Sequence, residues 1–147
     1  MRKRAGCGFG QIPYFDWLLI TEQGMDEKKT IFVIDDDPTI REILTNYLQE
    51  LGYKVQTAAD GLEGMDKIRD THFDVLLMDI RIPYVSGLGL LKIAREVKPD
   101  TPVICMTGYG SSPERIVAEE DVAYIFSKPF KLEELAQAIE NLVPKLV

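Results

Sequence analysis

Asp35-Asp36-Asp37, Asp79, Thr107 and Lys128-Pro129 each close an apolar run, and together they hold the side chains that chemistry at phosphorus needs. Carboxylates packed together repel and, left alone, take up protons. A hard divalent cation relieves this. Mg2+ takes oxygen ligands and keeps several waters, so two carboxylates, a carbonyl and waters suit it. A carboxylate can act as a nucleophile toward phosphorus and form an aspartyl phosphate. Phosphoryl transfer asks mainly for positioning and charge neutralisation, which Mg2+ and Lys128 would supply. Thr107 would then donate a hydrogen bond to a new phosphoryl oxygen, a contact made in one state only, as a switch requires. Singly, each residue has an ordinary explanation: Asp37 as a helix cap, Asp79 as a solvated loop acid, Thr107 and Lys128 as nothing in particular. The signal lies in the set. Acids close the first and third runs, a hydroxyl and a cation close the fourth and fifth, and Pro129 restricts the backbone just beyond the lysine.

The elements that must position these residues are legible. Ile31-Phe32-Val33-Ile34 is the kind of continuous apolar run that marks a strand buried on both faces of a parallel sheet. Ile40, Ile43, Leu44, Tyr47, Leu48 and Leu51 follow helical spacing, with Asp37 suited to cap, Pro38 to open and Gly52 to end the helix. Tyr53–Ala58 reads as a second strand and Asp60–Arg69 as a helix with Leu62, Met65 and Ile68 inward. Phe73–Met78 is a third strand ending at Asp79, followed by a loop with Pro83 and Gly87 and a helix carrying Leu88, Leu91 and Ala94. Val103–Met106 leads to Thr107, a weak short helix follows Pro113, and Val122–Phe126 leads to Ser127-Lys128-Pro129. A last helix shows Leu132, Leu135, Ile139, Leu142 and Val143 on one face. Strict strand–helix alternation implies an α/β fold: a flavodoxin-like, doubly wound, five-stranded parallel sheet in the order 2-1-3-4-5 with helices on both faces. Ligands in such folds sit at the carboxyl ends of the strands, where these side chains fall.

Composition agrees with one soluble domain. The chain has 147 residues, 46% hydrophobic and 28% charged, with a formal net charge of -7. Arg2, Lys3 and Arg4 against Asp16 and Glu22 make the first 24 residues +1, which leaves -8 on the rest. An acidic body repels nucleic-acid backbones, so no direct nucleic-acid binding is expected. Cys7 and Cys105 form neither a disulfide framework nor a metal-ligand spacing, and Cys105 reads as a buried small hydrophobe. His72, the sole histidine, has no nucleophile beside it. No apolar stretch is long enough to span a membrane, and the apolar patch Ile12–Ile20 behind the basic start is broken by Pro13 and Asp16. Cytoplasmic placement follows as the expectation. Residues 1–28 read as an extension, either disordered upstream sequence of a start at Met25 or a docking patch of Tyr14, Phe15, Trp17, Leu18 and Leu19; the domain proper is 29–147.

The residues Ile34-Asp35-Asp36-Asp37-Pro38, Leu77-Met78-Asp79-Ile80-Arg81-Ile82-Pro83, Ser86-Gly87, Met106-Thr107-Gly108-Tyr109-Gly110 and Lys128-Pro129-Phe130 carry a resemblance. With them, Thr30–Val147 resembles the receiver domain of bacterial two-component response regulators, in its single-domain, chemotaxis-regulator-like form. The resemblance implies Asp79 as phosphoacceptor, Asp36 and Asp79 as direct Mg2+ ligands, Asp35 acting mostly through water, and the Arg81 carbonyl as the further protein ligand. Thr107 and Lys128 would contact the phosphoryl group, and the Lys128-Pro129 bond would be cis. It implies a phosphoacceptor that assists its own phosphorylation and dephosphorylation, not an enzyme. The phosphoryl group would come from a sensor histidine kinase or a histidine phosphotransfer protein. With no output domain behind the last helix, the expected output is partner binding through the fourth helix, fifth strand and fifth helix, or phosphoryl relay.

Two departures from that pattern stand out. Ile125 occupies the position, three before the lysine, where the family carries a switch aromatic, and it is flanked by Tyr124 and Phe126. The stretch between Thr107 and Lys128 is about one residue shorter than usual and lacks the common Gly-Ala turn, so a short or loose fourth helix and a different Thr107-linked output are expected. Bulky Arg81 and Tyr109, two residues past Asp79 and Thr107, point to slow self-dephosphorylation. Two rivals belong to other classes. Asp35-Asp36-Asp37-Pro38-Thr39 fits the D-x-D-x-T signature of haloacid-dehalogenase-type phosphatases, with Asp35 as nucleophile and Asp37 as general acid, but Glu133 and Glu134 lie within the last helix and Asp79 goes unexplained. A receiver-like interaction module that needs no phosphate is the other.

Overall fold

Five short strands and four helices make up the residues that the computed structural model describes, 28–108 and 122–143. In chain order they are β1 (Thr30–Ile34), α1 (Pro38–Glu50), β2 (Lys54–Ala58), α2 (Gly61–Asp70), β3 (Val75–Asp79), α3 (Gly87–Val97), β4 (Val103–Thr107), β5 (Tyr124–Ser127) and α4 (Leu132–Leu142). All strands pair in parallel, in the order β2-β1-β3-β4-β5. This is the doubly wound arrangement expected from the alternation. The helix expected after Pro113, the residue Tyr109 and the N-terminal extension lie outside the described residues.

The three central strands, β1, β3 and β4, are buried on both faces, as their apolar runs require, while the edge strands β2 and β5 are half-exposed. Phe32, Ile34, Leu76, Met78 and Cys105 face α2 and α3, packing with Ile68, Leu90, Leu91 and Ala94. The alternate residues Ile31, Val33, Val75, Leu77, Ile104 and Met106 face α1 and α4, packing with Leu44, Leu48, Leu135 and Ile139. Burial pushes the Cys105 thiol up to about 12, in keeping with a small hydrophobe and not a reactive thiol.

Local signals fix the helix ends. Asp37 caps α1 by accepting from the Thr39 N–H at 2.9 Å, and Gly52 ends it at φ +100°, a conformation that favours glycine. Asp60 caps α2 by accepting from the Glu63 N–H, and the Glu63 carboxylate reaches back past the cap to accept from the Ala59 N–H. Ser86 caps α3 through the Gly89 N–H.

One expectation fails in α2. Leu62, read as inward, is 49% exposed. The buried stripe is Gly61, Gly64 and Ile68, with Met65 beside it. Two glycines let this helix lie close: a Cβ on Gly64 would stand 3.0 Å from Ile34, and one on Gly61 2.5 Å from the Val85 carbonyl oxygen. The close face therefore belongs to the glycines, and Leu62, one residue on, turns outward. Strand starts also move inward. β3 begins at Val75, not Phe73, because Asp74 instead binds the Thr30 N–H through its carboxylate at 2.8 Å. β5 begins at Tyr124, not Val122.

Candidate functional site

Parallel register brings the strand ends level. Ile34 is paired with Met78, Asp79 with Met106, and Thr107 with Ser127. Asp35, Asp79, Thr107 and Lys128 therefore emerge side by side at the carboxyl edge of the sheet. Asp35 is fully buried, Asp79 and Thr107 nearly so, and Asp36 is exposed. The carboxylates of Asp35, Asp36 and Asp79 offer oxygens that all lie within 4.8 Å of one another.

Lys128 ties the acids together. Its Nζ donates to Asp35 Oδ2 at 2.8 Å and to Asp79 Oδ2 at 2.6 Å. Burial works against the lysine's charge, but these two hydrogen bonds outweigh it and hold the ammonium above the ordinary lysine value. Asp35 moves the other way. Burial raises its carboxyl above the usual range and wins over the Lys128 and Asp37 hydrogen bonds that lower it. The second oxygens are also held: Asp35 Oδ1 accepts from the Asp37 N–H and Asp79 Oδ1 from the Arg81 N–H, each at 2.9 Å. The Arg81 side chain itself is exposed.

Thr107 Oγ1 reaches the Phe126 carbonyl oxygen at 3.5 Å, the outer limit for such a contact, and so is weakly held. Lys128 is anchored next to it by its own N–H, which donates to the Thr107 carbonyl at 2.7 Å. The Lys128-Pro129 peptide bond is cis, as expected. Ile125 packs on the α2–α3 side of the sheet. Its aromatic neighbours lie on the opposite face, where Tyr124 stacks on Phe126 at 6.2 Å and Phe126 meets Phe130 at 5.6 Å.

The loop after β3 is packed without slack. A Cβ on Gly87 would stand 2.6 Å from both the Ile80 Cα and carbonyl oxygen, so only glycine fits there. The Gly87 N–H donates to the Ile80 carbonyl at 3.1 Å and the Gly61 N–H to the Pro83 carbonyl at 2.9 Å. Between them Tyr84 has φ +75° and the Val85 N–H returns to the Pro83 carbonyl, the geometry of a γ-turn. The sequence reading missed this turn, Ser86 as a cap, and Arg41, whose Nη1 donates to the Asp35 carbonyl at 2.7 Å. Only Ser86, three before Gly89 at a helix start, carried a usable signal.

The cluster fits a divalent cation. Three carboxylates carry -3 when ionised, Lys128 cancels one, and the remaining -2 is what such an ion neutralises. Their oxygens, all within 4.8 Å of one another, are close enough to share a single small cation. Asp37 stands apart as the α1 cap, and His72 lies on the surface beside Asp74 at 3.3 Å. The D-x-D-x-T reading thus loses its general acid to a helix cap, while Asp79 sits at the centre.

A sequence profile described as the response regulator receiver domain matches residues 31–140. Response regulator MprA of Mycobacterium avium (strain 104) is 35% identical over 114 residues, covering 77% of this chain and 50% of that protein. The chain spans from 25% to 50% of the length of the first curated relatives it matches. Among solved structures, the CheY-like receiver domain protein of Methanospirillum hungatei JF-1 matches with a TM-score of 0.74 at 30% identity, over 78% of this chain and 93% of that one. Response regulator protein TrrA of Thermotoga maritima, solved in complex with Mg(2+)-BeF, matches with a TM-score of 0.69 at 32% identity, over 78% and 99%. The strand order, the acids and lysine at the strand ends, and a profile match across three quarters of the chain agree: this chain belongs to the response regulator receiver domain family.

Proposed function

We propose that the chain is a phosphorylation-activated switch of a two-component phosphorelay, with Asp79 as phosphoacceptor. The observation that carries this is the double hydrogen bond of Lys128 to Asp79 and Asp35 inside a three-acid cluster. It gives a nucleophile, a fixed cation and a place for a second cation at one point. Asp36 and Asp79 would hold Mg2+ directly, Asp35 mostly through water, and the Arg81 carbonyl would add a ligand. The ion supplies charge neutralisation for the transferring phosphoryl group.

The protein's own part is positioning. A carboxylate oxygen of Asp79 attacks phosphorus; the new O–P bond forms as the N–P bond of a phosphohistidine donor breaks, and the donor nitrogen keeps the electron pair. Lys128 stays beside the site to pair with the phosphoryl oxygens. Thr107, whose hydroxyl gives up little at 3.5 Å, turns to donate to one of them. An apolar recess of about 480 Å³ beside Lys128, lined by Ile40, Ile43, Pro129 and Phe130, offers a protein donor a surface next to the acids. The donor is a sensor histidine kinase or a histidine phosphotransfer protein, and the output is partner binding in the cytoplasm, with residues 29–147 as the receiver domain. Among the described residues no helix is long and apolar enough to cross a membrane.

Intact mass after incubation with Mg2+ and acetyl phosphate tests the reading. A single Mg2+-dependent phosphoryl adduct, lost in Asp79→Asn, is expected. An adduct that persists in Asp79→Asn and disappears in Asp35→Asn overturns the assignment in favour of the phosphatase chemistry. No adduct at all favours a module that works without phosphate.

A further inference from the structure

We infer that Arg41 is a positioning residue of this site, one that holds the peptide joining Asp35 to Asp36 and so sets the geometry of the cation ligands; the inference rests on the reading of these acids as Mg2+ ligands. Arg41 is the fourth residue of α1, in a first turn that contains no acid. A cation there faces the positive end of the helix macrodipole, an unfavourable placement. Its guanidinium is nonetheless committed inward, with Nη1 2.7 Å from the Asp35 carbonyl oxygen.

That carbonyl belongs to the peptide plane whose other end is the Asp36 N–H. Asp35 is fixed at its remaining polar atoms: its N–H donates to the Ala58 carbonyl at 3.2 Å, Oδ1 accepts from Asp37 and Oδ2 from Lys128. Asp36 is exposed, and the plane of that peptide fixes where its backbone starts. Arg41 is thus the clamp on the hinge between a buried acid and an exposed one. Both would have to meet a single ion.

The sign of the effect makes the inference testable. As a charge, Arg41 repels a divalent cation, so its removal alone would tighten Mg2+ binding. As a clamp, its removal loosens Asp36 and weakens binding. Calorimetric Mg2+ titration of the full chain, wild type against Arg41→Met and Arg41→Lys, separates the two. We expect Arg41→Met to bind Mg2+ roughly tenfold more weakly, the loss typical of an outer-shell partner, and Arg41→Lys, which keeps a donor, to recover most of it. Urea midpoints in EDTA provide the control for a role in helix stability alone. Mg2+ affinity in Arg41→Met equal to or tighter than wild type, with or without a lowered urea midpoint, overturns the inference. A wild-type chain that binds no Mg2+ sinks the metal-site reading itself, and the inference with it.

Discussion

Lys128→Met should turn a stable acid cluster into a pH-dependent liability. Lys128 donates to both Asp35, fully buried, and Asp79, nearly so. Breaking a buried ion pair by removing one partner typically costs about 3–5 kcal/mol. Two facts bring the estimate toward the lower end. The Lys128 side chain is 21% exposed, so solvent already screens it in part. An abandoned carboxylate can also take up a proton, and from an ordinary carboxyl value near 3.9 this costs about 4 kcal/mol at pH 7 and about 1.5 kcal/mol at pH 5, which caps the loss.

The signs agree. Asp35 sits above its ordinary value because burial outweighs its hydrogen bonds, and without Lys128 it rises further. A carboxyl with a raised folded value costs stability above that value, and the cost is relieved as pH falls through it. Lys128, raised above 10.5, contributes fully at both pH values in the wild type and is lost only in alkali. Urea denaturation in EDTA should therefore show a deficit of about 3 kcal/mol at pH 7 that shrinks below about 1.5 kcal/mol at pH 5. Adding Mg2+ at pH 7 should restore part of it. A deficit equal at both pH values, or one in the range of about 0–1 kcal/mol typical of exposed pairs, would refute the reasoning.

Further outcomes follow from the packing. Gly87→Ala drives a Cβ into the Ile80 backbone at 2.6 Å, so it should lose about 1–3 kcal/mol in urea and slow labelling by acetyl phosphate, since Ile80 follows Asp79 directly. Tyr84→Gly should stabilise the chain by up to about 1 kcal/mol, because an exposed tyrosine at φ +75° gains little from its ring and stores backbone strain; a lowered urea midpoint would show that the ring is needed. Leu62→Gln should change stability by less than about 0.5 kcal/mol, whereas Ile68→Ala, six residues on and fully buried, should cost about 2–5 kcal/mol in the same assay.

Much of the site could be read from the chain because each of its residues ends a strand, and the strands that carry it, β1, β3, β4 and β5, are short, largely apolar runs with clear ends. Asp35, Asp79, Thr107 and Lys128 were placed by counting runs, and parallel register then set them level. The role of Lys128 as a bridge was not legible, since it depends on distances across 93 and 49 residues of chain that no local pattern encodes. Leu62 misled for a related reason. Spacing ranks side chains by hydrophobicity, and glycine has no side chain to rank, yet Gly61 and Gly64 define the close face because they lack one. Arg41 looked like an ordinary charged helix residue; only its carbonyl partner gives it meaning.

The strand β5 works by parity. Neighbours on a strand point to opposite faces. An aromatic pair at Tyr124 and Phe126 and an aliphatic at Ile125 are therefore not a shifted version of one pattern but its mirror across the sheet. The carbonyl that Thr107 touches belongs to Phe126, whose ring lies on the α1–α4 side with Phe130. No single substitution carries an aromatic ring from one face to the other while leaving each side filled. Exchange takes two changes at once, Tyr124→Ile with Ile125→Tyr, because each side chain, half-buried at the sheet edge, belongs to its own face.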